Sequence, residues 1–109
     1  MKTASEQSIQ RQILQWLEYH RKRVPMFWRN NSGAIKLENR FIRFGAVGSS
    51  DILGILNDGR FLAIEVKSAK GKLTESQKNF LANVNDAGGL GIVARSIEDV
   101  TRGLMNGQA

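Results

Sequence analysis

Apolar positions recur with two different periods along this chain, and the switches between them predict an α/β arrangement. From Ala4 to His20 the residues Ile9, Ile13, Trp16 and Leu17, with His20 at the end, follow helical spacing and predict one buried stripe. Thr3-Ala4-Ser5-Glu6 has the T-x-x-E form of a capping box, with Glu6 at its fourth position. Arg21, Lys22 and Arg23 then fall in the last turn, where cations suit the helix dipole, and Pro25 marks the end.

The pattern from Met26 to Gly48 is mixed. Met26 to Arg29 reads as a short strand, Asn30-Asn31-Ser32-Gly33 as a turn, and Phe41 to Phe44 as another extended piece. Clearer signals follow. Asp51 to Leu56 and Arg60 to Lys67 are two apolar runs around Asn57-Asp58-Gly59, which predicts a β-hairpin. Both of its faces are apolar over most of its length, so it belongs in the middle of a sheet covered on both sides. After a polar loop, Ser68 to Lys72, a helix is predicted from Glu75 to Ala87, with a cap at Thr74-Glu75-Ser76-Gln77. Phe80, Leu81 and Val84 form its inner face, and Gly88-Gly89 stop it. Leu90 to Arg95 is the next strand, and strand, helix, strand in that order implies a right-handed crossover with parallel pairing. Ser96 to Asp99 opens a short final helix, with a frayed tail from Asn106. The expectation is an α/β fold: a central mixed β-sheet flanked by helices, in one domain over residues 1–109.

Composition narrows the function. The chain has no cysteine, which excludes disulfides, thiolate metal sites and cysteine nucleophiles. Its start is polar, without the apolar core of a signal peptide, and no apolar run is long enough to span a membrane, so a soluble, cytoplasmic protein is expected. Lys and Arg number 16 against 10 Asp and Glu, a net charge of +6, which favours a polyanionic partner such as nucleic acid. Arg21, Lys22, Arg23, Arg29, Arg40 and Arg43 are candidate phosphate contacts, although such a residue taken alone is more often a solvated charge. His20 reads as a helix-end residue, and Trp16 and Trp28 as core.

The hairpin carries the candidate chemistry. Along its second strand Leu62, Ile64 and Val66 point one way, and Phe61, Ala63, Glu65 and Lys67 the other. A carboxylate and an ammonium thus emerge together from an apolar strand, where charges are costly unless paired or bound to metal. The turn decides whether Asp51 joins them. A two-residue turn, Asp58-Gly59, sets Asp51 opposite Val66 on the wrong face. A three-residue turn, Asn57-Asp58-Gly59, pairs Leu56 with Arg60 and sets Asp51 opposite Glu65, within about 5 Å at Cβ. The second register has the glycine where a bulged hairpin requires a left-handed residue. Two adjacent carboxylates repel, and a hard divalent cation such as Mg²⁺ or Mn²⁺ relieves them. Lys67 is then placed to orient a water or to stabilise charge on a phosphorane, and the reaction class is phosphodiester hydrolysis. The alternative reading of Glu65 and Lys67 is a solvated ion pair at a strand end.

Gly48-Ser49-Ser50-Asp51, Glu65-Val66-Lys67 and Thr74-x-x-Gln77 together resemble the PD-(D/E)xK nuclease superfamily, and within it the VRR-NUC domain, the virus-type replication-repair nuclease. The resemblance runs from the first helix to the strand Leu90 to Arg95 and is closest to small stand-alone members, typically phage-encoded. It implies a restriction-endonuclease-like core in which Asp51, Glu65 and the Val66 backbone carbonyl bind the metal and Lys67 is the catalytic lysine. It also implies that Glu6 and Gln77 complete the site, although both read equally as cap residues. One departure is Ser50, where members often carry proline. The function expected is a Mg²⁺- or Mn²⁺-dependent DNA endonuclease acting as a homodimer on four-way (Holliday) junctions, because two sites about a two-fold axis suit a symmetric junction. The alternatives are a related nuclease of flaps or linear duplex, and a non-catalytic DNA-binding module.

Overall fold

A computed structural model describes residues 4–31 and 33–107, without the side chains of residues 33–35 and 42–44. The elements in order are α1 (Glu6–Glu18), β1 (Met26–Arg29), β2 (Gly33–Leu37), β3 (Arg40–Phe44), β4 (Ile52–Ile55), β5 (Phe61–Val66), α2 (Glu75–Asp86), β6 (Leu90–Ala94) and α3 (Ile97–Asn106). Four strands form a mixed sheet in the order β1-β4-β5-β6, while β2 and β3 pair only with each other. β1, β4 and β5 are antiparallel to their neighbours and β5 and β6 are parallel, as the crossover through α2 requires. None of the described helices is long and apolar enough to cross a membrane.

The hairpin lies at the centre of this sheet. Leu56 N–H donates to the Arg60 carbonyl, Gly59 N–H to the Leu56 carbonyl, and Gly59 has φ +92°. These are the marks of the three-residue turn. The ladder then runs Ile55↔Phe61, Leu53↔Ala63 and Ile52↔Ile64. Leu62, Ile64 and Val66 join Ile9, Ile13, Leu17, Ile92, Val100 and Leu104 in one buried cluster, so α1 and α3 cover that face. α2 covers the other face of β5 and β6, with Leu81 close over Gly91, the register partner of Ala63.

Several expectations change at element ends. Ser5, not Thr3, caps α1: its side chain accepts from Ser8 N–H at 3.1 Å. Thr3 lies outside the described residues. Glu6 therefore occupies the first helical position and has no cap donor to hold. α1 stops at Glu18, so Arg21, Lys22 and Arg23 lie in the turns beyond it and not in its last turn. His20 is exposed, outside the buried stripe. It stacks on half-buried Trp16 at 3.6 Å and holds the Trp16 carbonyl through Nδ1 at 2.6 Å. Trp28 is not core: it is 42% exposed, because β1 is an edge strand that α2 does not reach across. β2 had no counterpart in the sequence reading. Its hairpin with β3 closes at Leu37↔Arg40 through Glu38-Asn39, with Glu38 at φ 53° and no glycine to announce the turn.

The Gly59 site has nothing within 4 Å of a Cβ placed there, so Gly59→Ala tests backbone strain alone. The left-handed conformation costs an alanine about 1–2 kcal/mol, and each kcal/mol lowers the melting temperature by roughly 4–8 °C in a domain of this size. An unchanged melting temperature would contradict the bulged turn.

Candidate active site

One step beyond Ile52↔Ile64, the β4–β5 register sets Asp51 opposite Glu65. The ladder also changes character there. The next acceptor for Val66 N–H would be the Ser50 carbonyl, but that carbonyl instead receives the Asn30 side-chain amide at 2.9 Å. Val66 N–H donates to Asp51 Oδ2 at 2.8 Å in its place. Because the N–H and C=O of a strand residue point to the same edge, the Val66 carbonyl faces the Asp51 side as well. Asn30 secures the segment from both directions: its side chain also donates to Ser49 Oγ at 2.7 Å, and its backbone N–H to the Asp51 carbonyl at 2.8 Å.

Glu65 is 2% exposed and Lys67 8%, so neither is the solvated strand end of the alternative reading. Glu65 Oε1 is buried without a hydrogen-bond partner among the described residues. Burial, first, and then a shared proton with Asp51 and the charge of that carboxylate push the Glu65 pKa up to about 8, while Lys67 pulls it down. Glu6 contributes a further upward push, which places its carboxylate within electrostatic reach. Geometry agrees: a Cβ at Gly71 would lie 3.2 Å from Glu6 Oε2, 3.3 Å from Ser68 Oγ and 3.4 Å from Lys67 Cδ. Glu6 and Lys67 thus flank the same glycine, and the loop after β5 is held there by the Arg95 guanidinium, which donates to the Ser68 carbonyl.

The remaining candidates divide. Gln77 is committed to its cap, where Oε1 accepts from Thr74 N–H at 2.9 Å while Thr74 Oγ1 accepts from Gln77 N–H at 3.2 Å. No bond from Gln77 to Asp51, Glu65 or Lys67 exists among the described residues. Its helix end does reach the site segment, since Gly48, at φ +74°, sits where a Cβ would collide with the Ser76 carbonyl. Arg21, Lys22 and Arg23 are not brought to the site. The Arg23 carbonyl and guanidinium both bond Asn57 in the hairpin turn, roughly 20 Å away along β5. Arg21 is engaged with Glu18, the Pro25 carbonyl and the Phe27 ring. Arg29, beside Ile52, is at the site end, and Arg40 lies on the β2–β3 ribbon. The Arg43 side chain lies outside the described residues. A groove of about 740 Å³ between the hairpin turn and the end of α2 also sits at the far end of the strands, away from the paired carboxylates. Gly48, which opens the Gly48-Ser49-Ser50-Asp51 motif, positions the site, as do Asn30 and Gly71, which were not singled out from sequence. The two glycines flanking the motifs were the available signal, whereas Asn30 read only as a turn residue.

A family model described as the VRR-NUC domain matches residues 4–98. The chain belongs to the VRR-NUC family. The match takes in α1 through β6 and ends at the start of α3, so every acidic and basic residue of the cluster lies inside it. A VRR-NUC domain is a nuclease domain, and the partner this implies is DNA. No curated protein and no solved structure matches the chain.

Among the described residues of this VRR-NUC domain, no group of three or more acidic or histidine side chains is gathered to hold a metal ion. Two carboxylates and a carbonyl edge still suit Mg²⁺, which takes one or two carboxylates and fills its shell with water and substrate oxygens. The orphaned Glu65 oxygen is the observation that fits such an ion.

A raised carboxyl pKa stabilises the fold at low pH. The contribution is complete below about 4.5, declines as pH rises, and is gone above about 8. Glu65→Gln cannot ionise. With divalent ions chelated, its melting temperature should therefore fall less than that of the wild type between pH 6 and pH 9. Parallel curves would show that Glu65 does not hold its proton in the folded state.

Proposed function

We propose that this nuclease is a metal-dependent, structure-specific DNA endonuclease whose site is Asp51, Glu65, Lys67 and the Val66 carbonyl, with Glu6 beside them and Gln77 at the neighbouring helix end. The observation that carries the reading is the buried Glu65 carboxylate, one oxygen of which has no partner, set in register opposite half-buried Asp51 and beside buried Lys67. Asp51 and Glu65 with the Val66 carbonyl would hold Mg²⁺ or Mn²⁺. Such an ion, when bound, polarises a phosphodiester and lowers the pKa of an attacking water.

The chain's own groups divide the remaining work. Val66 N–H fixes Asp51 Oδ2, so the carboxylate is oriented before any ligand arrives. Glu65 has a proton to lose, and losing it leaves charge where a cation is wanted. Lys67 lies in nearly buried surroundings, where the field of a cation at a transition-state oxygen is stronger than in water. Glu6 Oε2 and the Lys67 stem both lie beside Gly71, which brings the Glu6 carboxylate to the edge of the site.

For substrate, we favour four-way junctions cut by a homodimer. This rests on the resemblance to small stand-alone family members and on the fit of a two-fold axis to a symmetric junction. Exposed Met26 and Trp28 on the edge strand supply apolar surface of the kind a second copy covers.

Cleavage of a four-way junction, a flap and a linear duplex with Mn²⁺ should be fastest on the junction. Equal rates on all three would remove the junction preference. Lys67→Met keeps the apolar stem and should lower the rate by about 10²–10³-fold without loss of fold. Asp51→Asn should abolish the Mn²⁺-dependent rise in melting temperature that the wild type shows. Wild-type behaviour of both variants would sink the assignment.

A further inference from the structure

Between α1 and β1 lies a cleft of about 120 Å³ lined by Gln7, Gln10, Arg11, Leu14 and Arg29. It is a small cleft, on the scale of a compact group such as a phosphate. Its chemistry is one-sided: two guanidiniums, two carboxamides, an apolar floor at Leu14, and no carboxylate among the lining residues. The two arginines are also set apart from most others. Arg21, Arg23, Arg60, Arg95 and Arg102 each donate to an acceptor within the chain. Neither Arg11 nor Arg29 has such a partner among the described residues, although each sits on a well-formed element. A guanidinium is built to grip a phosphate with two parallel bonds.

The cleft also stands in the right place. Arg29 pairs with Ile52, next to Asp51, so it stands at the same end of the sheet as the carboxylates, its side chain on the face that α1 covers and theirs on the reverse face. Arg11 lies on the helix that begins with Glu6, five residues further on, or about 7.5 Å along the axis.

We infer that the α1–β1 cleft is a backbone-phosphate subsite, in which Arg11 and Arg29 grip the DNA strand beside the segment to be cut. This rests on the nuclease reading of the Asp51 cluster for its position, but not for its chemistry. The subsite holds the strand in register so that only one phosphodiester reaches the carboxylates. Arg11 and Arg29 are thus positioning residues.

The test is DNA binding by fluorescence anisotropy across a salt series, with Ca²⁺ in place of the catalytic ion. Wild type is compared with Arg11→Gln, Arg29→Gln and the double variant, and Arg102→Gln serves as an ion-paired control on α3. Each of the first two should weaken binding by about tenfold and lower the salt slope by about one, while the control changes neither. Neutral methylphosphonates are then placed one at a time along the bound strand. One or two adjacent positions should weaken wild-type binding yet leave the double variant unaffected. Unchanged slopes in both single variants, or equal methylphosphonate losses in wild type and double variant at every position, would overturn the subsite. If Mn²⁺ produced no cleavage while the position-specific coupling persisted, the catalytic reading would fail and the subsite would stand. The side chains of Arg11 and Arg29 are exposed, so melting temperatures matching wild type will separate lost contacts from lost folding.

Discussion

The N–H of Val66 must have an acceptor, because a strand in the middle of a sheet leaves no water to take its place. In an uninterrupted ladder the acceptor would be a backbone carbonyl of the neighbouring strand. Here it is the Asp51 carboxylate, and much of the site follows from that exchange. The carboxylate is pinned on one oxygen, so its other oxygen is left for Glu65. The displaced Ser50 carbonyl needs a donor and receives Asn30. The segment that carries Ser49 and Ser50 can turn away only because Gly48 accepts a positive φ against the end of α2. One backbone bond thus links the first strand, the hairpin and the second helix.

The arrangement concentrates like charge where the dielectric is low. Glu65 is nearly sealed from solvent and lies against a second carboxylate, with a third on α1 close enough to be felt. The core around it does not compensate electrostatically; it compensates by mass. Val66 and Ile64, on the reverse face of the same strand, are fully packed against α1 and α3. A strand anchored so firmly on one face can carry an unfavourable group on the other. Local destabilisation offset by packing elsewhere is what binding sites in small domains commonly show.

Periodicity made the skeleton legible. The central hairpin, its crossover through α2 and the parallel partner β6 all follow from apolar spacing and from glycine placed where a turn demands it. Gly59 was the informative residue, because it fixed the count of the turn and hence the face of every side chain beyond it. What stayed hidden depended on partners distant in sequence. Trp28 reads as core until the sheet order shows β1 at the edge, on the side of the sheet where α2 packs against β5 and β6. Arg23 reads as a free cation until the chain folds back and hands it Asn57 and the Leu104 carbonyl. Gln77 was ambiguous because a cap and a site residue have the same local pattern, and its observed bonds are those of the cap. Ribbon β2–β3 escaped because Glu38-Asn39 is not a turn that composition announces.

That ribbon has a consequence for how the molecule can change. Strands β1 and β4 are neighbours in the sheet, joined from Met26↔Ile55 to Arg29↔Ile52, yet the chain leaves between them and returns only at Asp51. The departure is stapled at its base by Asn30 against Ser49 and Ser50. Closing a longer excursion costs only about 0.6 kcal/mol per doubling of its length, and the pairs it must close stay the same. The excursion is therefore a cassette: insertion, deletion or exchange between Asn31 and Val47 leaves the strand register at Asp51 where it was. The stretch that leaves and rejoins the sheet beside Asp51 is thus the part of the chain most open to evolutionary replacement.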